Sequence, residues 1–170
     1  AIHILRTELG VDIIPEAVHE GFAHVTKLTG LMGRWQTLRS KPTVICDTGH
    51  NVGGWEHLAE HLKVLRQYCG QIYMIVGMVN DKDIDGVLSL MPPDASYFFT
   101  QASVERAMPV EDFAVKAMRH GLSGTLCDTV QDAVEKALRR ARENDLIFIG
   151  GSTFIVADAL PLFMKEDEYK

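Results

Sequence analysis

The segment Asp47-Thr48-Gly49-His50-Asn51 places four polar side chains directly after a short apolar run. A carboxylate here can accept hydrogen bonds from a ribose hydroxyl, and an imidazole can donate to a phosphate or a carboxylate. A helix is predicted to follow, and the start of a helix favours anions because its first N–H groups lack partners. Asn51 suits the role of helix cap. A cap needs only one polar side chain, so the segment as a whole predicts a ligand-binding turn.

Two arginines stand just before predicted elements and can bind anions. Arg34 follows Gly33 shortly before the first apolar strand, and a guanidinium there can hold a phosphate with two parallel hydrogen bonds. Arg106 precedes a predicted helix and either binds a carboxylate or pairs with Glu105. On the residues alone, an ordinary solvated charge explains each arginine at least as well.

Two further polar loops follow predicted strands. In the loop after Ile72–Val76, Asp83 is placed to cap the next helix, while Asp81 and Lys82 fit a ligand site and a solvated turn equally. In Gly150-Gly151-Ser152-Thr153, the Ser152 hydroxyl is either a ligand donor or a helix cap. This second loop is neither GxGxxG nor a P-loop, so its signal is weak on its own.

The residues His57, Glu60 and His61 match the HxxEH pattern of some zinc proteases. The two histidines share a helix face, but no clear third ligand follows, and short patterns recur by chance. We therefore predict no metal site. The remaining histidines are expected to be isolated on the surface: His3, His19, His24 and His120.

These loops are separated by apolar runs that alternate with amphipathic segments. The runs predict strands at Thr43–Cys46, Ile72–Val76, Ser96–Phe99 and 146–149, with a weak strand at 125–126. Helices are predicted at 54–68, 84–90, 109–121 and 130–141 and from Ser152 onward, with Met118 facing inward in the third and Glu135 paired with Arg139 in the fourth. This order predicts an α/β, Rossmann-like, mostly parallel sheet with helices on both faces. Its ligands are expected beyond the strand ends Asp47, Gly77, Thr100 and Gly150, which share one edge.

Residues 1–32 do not fit this alternation. They predict two short helices, the second beginning at Pro15, followed by a linker from Lys27 to Gly33. Two short helices cannot bury both their faces alone, so we expect residues 1–32 to be the tail of a preceding domain and residues 33–170 to form a domain of their own. The segment after Phe163 is predicted to be a polar, frayed tail.

The composition limits the classes of partner. The chain of 170 residues has a net charge of -6, which provides no overall basic field to attract nucleic acid or anionic lipid. No apolar stretch is long enough to span a bilayer, and three widely spaced cysteines suggest neither a disulfide framework nor a metal site. We expect a cytoplasmic monomer that binds neither nucleic acid nor membrane.

Taken in order, the motifs resemble the C-terminal domain of folylpolyglutamate synthase/dihydrofolate synthase, a branch of the Mur ligase superfamily. The resemblance covers roughly residues 33–163. It is carried by Gly33-Arg34-Trp35, Asp47-x-x-His50-Asn51, Gly77-x-x-x-Asp81-Lys82-Asp83, Arg106-Ala107-Met108-Pro109 and Gly151-Ser152. The family often has Gly, Ala and Pro where this chain has Thr48, Gly49 and Val52.

The resemblance implies an ATP-dependent ligase. ATP converts a carboxylate of a folate, of its glutamate tail or of dihydropteroate to an acyl phosphate, and the amine of L-glutamate then forms the amide. Residues 1–32 would belong to the central ATPase domain of the same chain, which would also hold most of the Mg²⁺ contacts. Because this chain has no GxxxxGK[ST], we expect it to be inactive in isolation.

The resemblance also implies residue roles. Arg34, Asp47, His50 and Asn51 would belong to the ATP site, with His50 nearest the chemistry as the catalytic residue. Three residues would contact the substrate: Ser152, Arg106 and Lys82. Two alternatives stay open, namely a Mur-type domain that ligates another amino acid and a stand-alone nucleotide-binding regulatory module.

Overall fold

A computed structural model describes residues 1–164, and the chain divides into two compact units, residues 1–32 and the residues from Gly33 onward. The predicted polar tail lies mostly outside the described residues. The first unit contains α1 (Ile2–Thr7), α2 (Pro15–Ala23) and α3 (Val25–Thr29). Part of the predicted linker is therefore helical. Helix α3 ends at Gly30, which adopts a left-handed φ of 70°. Within the described chain, none of the residues in these three helices is buried.

The second unit is a six-stranded sheet with the order β1-β2-β6-β3-β4-β5. The strands are β1 (Gln36–Ser40), β2 (Thr43–Cys46), β3 (Ile72–Val76), β4 (Ser96–Phe99), β5 (Gly124–Leu126) and β6 (Leu146–Gly150). All neighbouring pairs are parallel except β1 and β2. The predicted parallel sheet is confirmed, but the antiparallel edge strand β1 was not predicted, because its sequence QTLRS is polar and mostly exposed.

Helices cover both faces of this sheet, as predicted. They are α4 (Val52–Leu65), α5 (Ile84–Leu88), α6 (Val110–Arg119), α7 (Val130–Arg140) and α8 (Thr153–Ala159). Alternate strand residues face two separate cores: Met74 and Phe148 pack with α4, α5 and α6, whereas Ile75 and Ile149 pack with α7 and α8. Strands buried on both faces explain the continuous apolar runs in the sequence.

Two details of the helices differ from the sequence prediction. Met118, predicted to face inward, is 69% exposed, because the buried stripe of α6 follows Val110, Phe113 and Ala117. Two of the histidines predicted to be isolated are not: His24 Nδ1 lies 3.2 Å from Oε2 of Glu20, and His120 Nε2 lies 3.0 Å from Oδ1 of Asp85 on α5. The predicted ion pair of Glu135 and Arg139 is present, with 3.6 Å between Arg139 Nη1 and Glu135 Oε2.

Among residues 1–164, no helix combines the length and hydropathy needed to cross a bilayer.

Candidate functional site

The carboxyl ends of four strands lie side by side at one edge of the sheet. Strands β2, β6, β3 and β4 are consecutive neighbours and run parallel, so the loops that follow them leave from the same edge. These loops contain every residue predicted for the site except Arg34. The shared edge predicted from the sequence is confirmed.

Asp47 ends β2 with a buried carboxylate that is 8% exposed. Its Oδ1 accepts a hydrogen bond from the Gly49 N–H at 2.7 Å, and its Oδ2 accepts one from the Trp35 N–H at 2.7 Å. The carboxylate thus joins the turn of residues 47–51 to the segment that precedes β1. Burial of this charge is offset by two short hydrogen bonds to backbone donors.

Arg34 sits in a tight turn of residues 33–36 beside the 47–51 turn. The Thr48 N–H donates to the Gly33 carbonyl at 2.8 Å, and the Gly33 N–H donates to Gln36 Oε1 at 2.8 Å. Gly33 and Trp35 both have positive φ, of 78° and 42°. The Arg34 side chain is exposed and forms no hydrogen bond or ion pair with residues 1–164. The structure therefore brings Arg34 next to the predicted ligand-binding turn.

His50 is half-buried on the same turn, and its Nδ1 lies 2.9 Å from the Thr48 carbonyl oxygen. Because a carbonyl only accepts, this contact places a proton on Nδ1 and leaves Nε2 for a ligand. Asn51 caps α4, since its side chain accepts from the Gly54 N–H at 2.8 Å. The capping role predicted for Asn51 is confirmed.

A second group of predicted residues lies on the loops after β3 and β4. The two loops pair through the Met108 N–H and the Met78 carbonyl at 2.9 Å. Arg106 donates through Nη2 to Asp81 Oδ2 at 2.8 Å, so its partner is Asp81 and not the neighbouring glutamate. Lys82 Nζ lies 4.0 Å from the same oxygen. Two cations thus share one carboxylate at the edge of the sheet.

The loop after β6 adjoins this second group. The Arg106 guanidinium lies over the Phe154 ring at 5.5 Å from its centroid, in the first turn of α8. Ser152 is 2% exposed and caps that helix, because its Oγ accepts from the Phe154 N–H at 3.2 Å. The structure therefore shows the capping role of Ser152, and Asp83 caps α5 in the same way at 2.9 Å from the Gly86 N–H.

Residues 57–61 do not form a metal site. Both histidines and Glu60 are exposed on α4, and the His61 ring packs edge-on against Trp35 with 4.8 Å between centroids. No group of three or more His, Cys, Asp or Glu side chains within residues 1–164 is arranged to hold a metal ion.

Sequence reasoning missed two aromatic residues at the edge. Trp35 supplies the N–H that binds Asp47, and its ring packs against His61; Phe154 lies under the Arg106 guanidinium. The position of Trp35 beside Arg34 was a usable signal, whereas nothing in the sequence distinguishes Phe154 from a core residue of α8.

Five cavities on the surface of the described chain have linings that include none of the residues predicted for the site. A cavity of about 380 Å³ lies beyond β4 and β5, between Gln101, Thr129 and Asp158, and its lining includes none of the predicted site residues. The polar side chains at the carboxyl edge project from open loops.

The fold and the edge loops define a class of protein. The family model described as "Mur ligase, glutamate ligase domain" matches residues 33–153, which include all six strands. The chain belongs to this family, and the resemblance drawn from the ordered motifs is confirmed.

Two curated relatives are named dihydrofolate synthase/folylpolyglutamate synthase, which is more specific than the description of the family. Dihydrofolate synthase/folylpolyglutamate synthase of Escherichia coli (strain K12) is 29% identical over 160 residues, which cover 94% of this chain and 36% of the relative. The protein of the same name from Mycobacterium tuberculosis is 36% identical over 106 residues, which cover 60% of this chain and 20% of the relative. This chain thus spans little more than a third of the length of the Escherichia coli protein.

Solved structures agree with this placement. Escherichia coli FolC in complex with ADP matches with a TM-score of 0.78 and 26% identity, over 95% of this chain and 37% of that chain. Mycobacterium tuberculosis folylpolyglutamate synthase complexed with ADP also matches with a TM-score of 0.78, at 28% identity over 95% of this chain and 38% of that chain. Both matches confirm the predicted α/β fold.

Proposed function

We propose that this chain is the C-terminal domain of an ATP-dependent carboxylate–amine ligase. The enzyme would add L-glutamate to a folate, to the glutamate tail of a folate or to dihydropteroate. Membership of the glutamate ligase domain family and the names of the relatives support this reaction. The relatives bound to ADP support ATP as the phosphoryl donor.

The observation that carries the proposal is that Arg34 and His50 lie on adjoining turns. Arg34 is an exposed guanidinium without a partner among residues 1–164, on a backbone that three hydrogen bonds hold in place. His50 offers Nε2 on the turn to which that backbone is bonded. A cation on a rigid backbone and an imidazole on the adjoining turn are groups that can stabilise charge on phosphate oxygens during phosphoryl transfer.

The proposed reaction has two steps. A carboxylate oxygen of the folate attacks the γ-phosphorus of ATP, the bond to the β-phosphate oxygen breaks, and ADP leaves. The amine nitrogen of glutamate then attacks the acyl carbon, phosphate leaves, and the nitrogen loses a proton. We assign Arg34 to the ATP phosphates and His50 to the region between the transferred phosphate and the incoming glutamate. Asp47 and Asn51 shape this side of the ATP site.

We assign the carboxylates of glutamate to the second group of residues. Lys82 and Arg106 present two cations that both contact the Asp81 carboxylate. A substrate carboxylate can replace the Asp81 carboxylate as their partner, because the pair is exposed to solvent and a surface ion pair is weak. Ser152 would contribute mainly by fixing the turn before α8, since its hydroxyl already serves as the cap.

Within residues 1–164, no three His, Cys, Asp or Glu side chains are grouped to hold a metal ion. We propose that Mg²⁺ is held mainly by the central ATPase domain of the same chain, to which residues 1–32 would belong. The described residues 1–32 carry exposed apolar side chains such as Leu9, Phe22 and Leu28, which such a domain would cover. We further propose that the complete enzyme is a cytoplasmic monomer.

The test measures ADP release by the full-length protein that contains this chain. We expect ADP only when ATP, L-glutamate and a folate-type carboxylate are all present, with one amide formed per ADP. Ligation of a different amino acid would favour another Mur-type ligase. Tight ATP binding by residues 1–170 alone, without ligation by the longer protein, would indicate a regulatory module and overturn the proposal.

A further inference from the structure

We infer that Asp47 acts as a positioning residue that fixes the backbone from which the Arg34 side chain projects. The inference rests on the proposed function only in assigning Arg34 to the ATP phosphates; the contacts themselves stand without it. A direct contact between Asp47 and the nucleotide is not needed for this role.

The carboxylate of Asp47 connects two turns that are 12 residues apart in sequence. Oδ2 accepts from the Trp35 N–H at 2.7 Å, and Oδ1 accepts from the Gly49 N–H at 2.7 Å. A third hydrogen bond, from the Thr48 N–H to the Gly33 carbonyl at 2.8 Å, lies beside them. Arg34 is the residue between Gly33 and Trp35, so hydrogen bonds to both of its neighbours fix its backbone.

The turn around Arg34 needs this support because its backbone is strained. Trp35 has a φ of 42°, and it is the non-glycine residue with positive φ in the described chain. The left-handed region is unfavourable for residues with a Cβ and persists only where surrounding contacts enforce it. The Asp47 carboxylate bonds directly to the N–H of this strained residue, so it supplies the enforcing contact.

Asp47 is bound mainly to the backbone. Each of its oxygens accepts one hydrogen bond from a backbone N–H group, and 8% of the residue is exposed. Arg34, in contrast, is exposed and lacks a partner among residues 1–164. The geometry therefore makes Asp47 the support and Arg34 the group that reaches the ligand.

The chain contains a matched control at the opposite end of the sheet. Asp145 is 6% exposed, and its two oxygens accept from the Gln71 and Arg142 N–H groups, each at 2.7 Å. It precedes β6 at the amino end, away from the carboxyl edge. Asp145→Asn thus removes the same chemistry from an equally buried carboxylate without touching the proposed site.

Limited trypsin digestion of the full-length protein tests the support of the turn without any assay of activity. Asp47→Asn should speed cleavage after Arg34 by about tenfold or more relative to cleavage after the exposed Lys27, because loss of a charged hydrogen bond increases local opening. Asp145→Asn should leave this ratio unchanged. Gln36→Ala, which removes the 2.8 Å acceptor of the Gly33 N–H but leaves both Asp47 hydrogen bonds in place, should raise the ratio less. Asp47→Ser serves if Asp47→Asn does not fold. An unchanged ratio in the folded Asp47 variant would overturn the inference.

A double-mutant cycle on ligase turnover then tests the role in catalysis. If Asp47 acts through Arg34, Asp47→Asn should raise the KM for ATP or lower kcat in the same pattern as Arg34→Ala, and the double variant should be no worse than the worse single variant. Multiplied effects would show that Asp47 has a separate contact and would overturn the inference. A wild-type protein without ligase activity would instead refute the proposed function. The trypsin digestion would still test whether Asp47 holds the turn around Arg34 in place.

Discussion

At the scale of single residues, the polar groups of this domain differ in how they are satisfied. Asp47 and Asp145 are buried and bind backbone N–H groups with both oxygens, as a low-dielectric interior requires. Asp85 is exposed and binds side chains instead, accepting from His120 Nε2 and from Lys116 Nζ at 3.0 Å each. The first two carboxylates organise backbone, whereas the third joins α5 to α6.

The Asp85 contacts predict a pH dependence of stability. The hydrogen bond from His120, followed by that from Lys116, holds the pKa of the Asp85 carboxyl below its ordinary value of 3.8. A carboxyl whose pKa is lowered by folding stabilises the fold above its ordinary pKa and loses this contribution as pH falls through the lower folded-state value. Asp85→Asn should therefore be modestly less stable than the wild type at pH 7 and equally stable at strongly acidic pH.

Urea unfolding at a series of pH values measures this difference. The matched control is Asp94→Asn, which breaks an exposed pair with Arg66 at 3.0 Å that involves neither α5 nor α6. A gap between wild type and Asp85→Asn that stays constant from pH 7 to strongly acidic pH would contradict the assignment.

At the scale of elements, close approaches of the backbone shape the edge as much as the side chains do. Gly33 has a φ of 78°, and a Cβ at this position would lie 2.9 Å from both Thr48 Cγ2 and Val156 Cγ1. Gly121 has a similar φ of 75°, but a Cβ there would meet nothing within 4 Å. Substitution of Gly121 therefore measures the loss of stability from a left-handed backbone alone, whereas substitution of Gly33 adds the loss from crowding.

Alanine substitutions at these two glycines should therefore differ in effect. Gly121→Ala should cost about 1 kcal/mol of stability from φ alone. Gly33→Ala should cost about 2–4 kcal/mol, because crowding adds to the same strain. Chemical denaturation of both variants checks the order, and equal losses would show that the packing around Gly33 can relax.

How much of the fold the sequence predicts depends on the kind of element. Strands β2, β3 and β4 are buried on both faces and carry continuous apolar runs, so their bounds were predicted as they occur. Strand β1 pairs only with β2 at the edge of the sheet, and its polar residues follow no apolar pattern. Its position is set by pairing with a strand that follows it, which local sequence does not encode.

At the scale of the whole molecule, the function depends on which loops share an edge. The strand order places the loops after β2, β6, β3 and β4 side by side, and the sequence indicated this because parallel strands end at one edge. The sequence predicted the capping roles of Asn51 and Asp83, and both are confirmed. For Asp47 and Ser152 it left a ligand contact and a backbone contact open, and only the folded backbone shows the N–H groups that they bind.

The burial of residues in the two cores, one on each face of the sheet, also predicts how fast the three thiols react. Burial, with a contribution from the Asp47 charge, raises the pKa of the Cys46 thiol to about 12, and burial also raises the pKa of Cys127. Burial raises the pKa of the Cys69 thiol as well, but this thiol is only partly buried and so can be reached by a reagent. Native protein treated with iodoacetamide at about pH 8 should therefore be modified first at Cys69, and all three thiols should react in urea.

Peptide mass spectrometry over time separates the three sites. The urea sample is the control for intrinsic reactivity. Native Cys46 that reacts as fast as Cys69 would contradict the packing of β2 between the two helical layers.

The measurement that tests the central claim most directly is the turnover of His50→Ala in the full-length protein. We follow ATP-dependent incorporation of L-glutamate into a folate-type acceptor, with His120→Ala as the control because His120 lies on the α5–α6 contact and not on the edge loops. We predict that His50→Ala lowers kcat by about 100-fold or more, as expected for the loss of one group that stabilises the transferred phosphate, and that His120→Ala keeps wild-type turnover. Wild-type turnover in His50→Ala would contradict the assignment of the carboxyl edge as the ligase site.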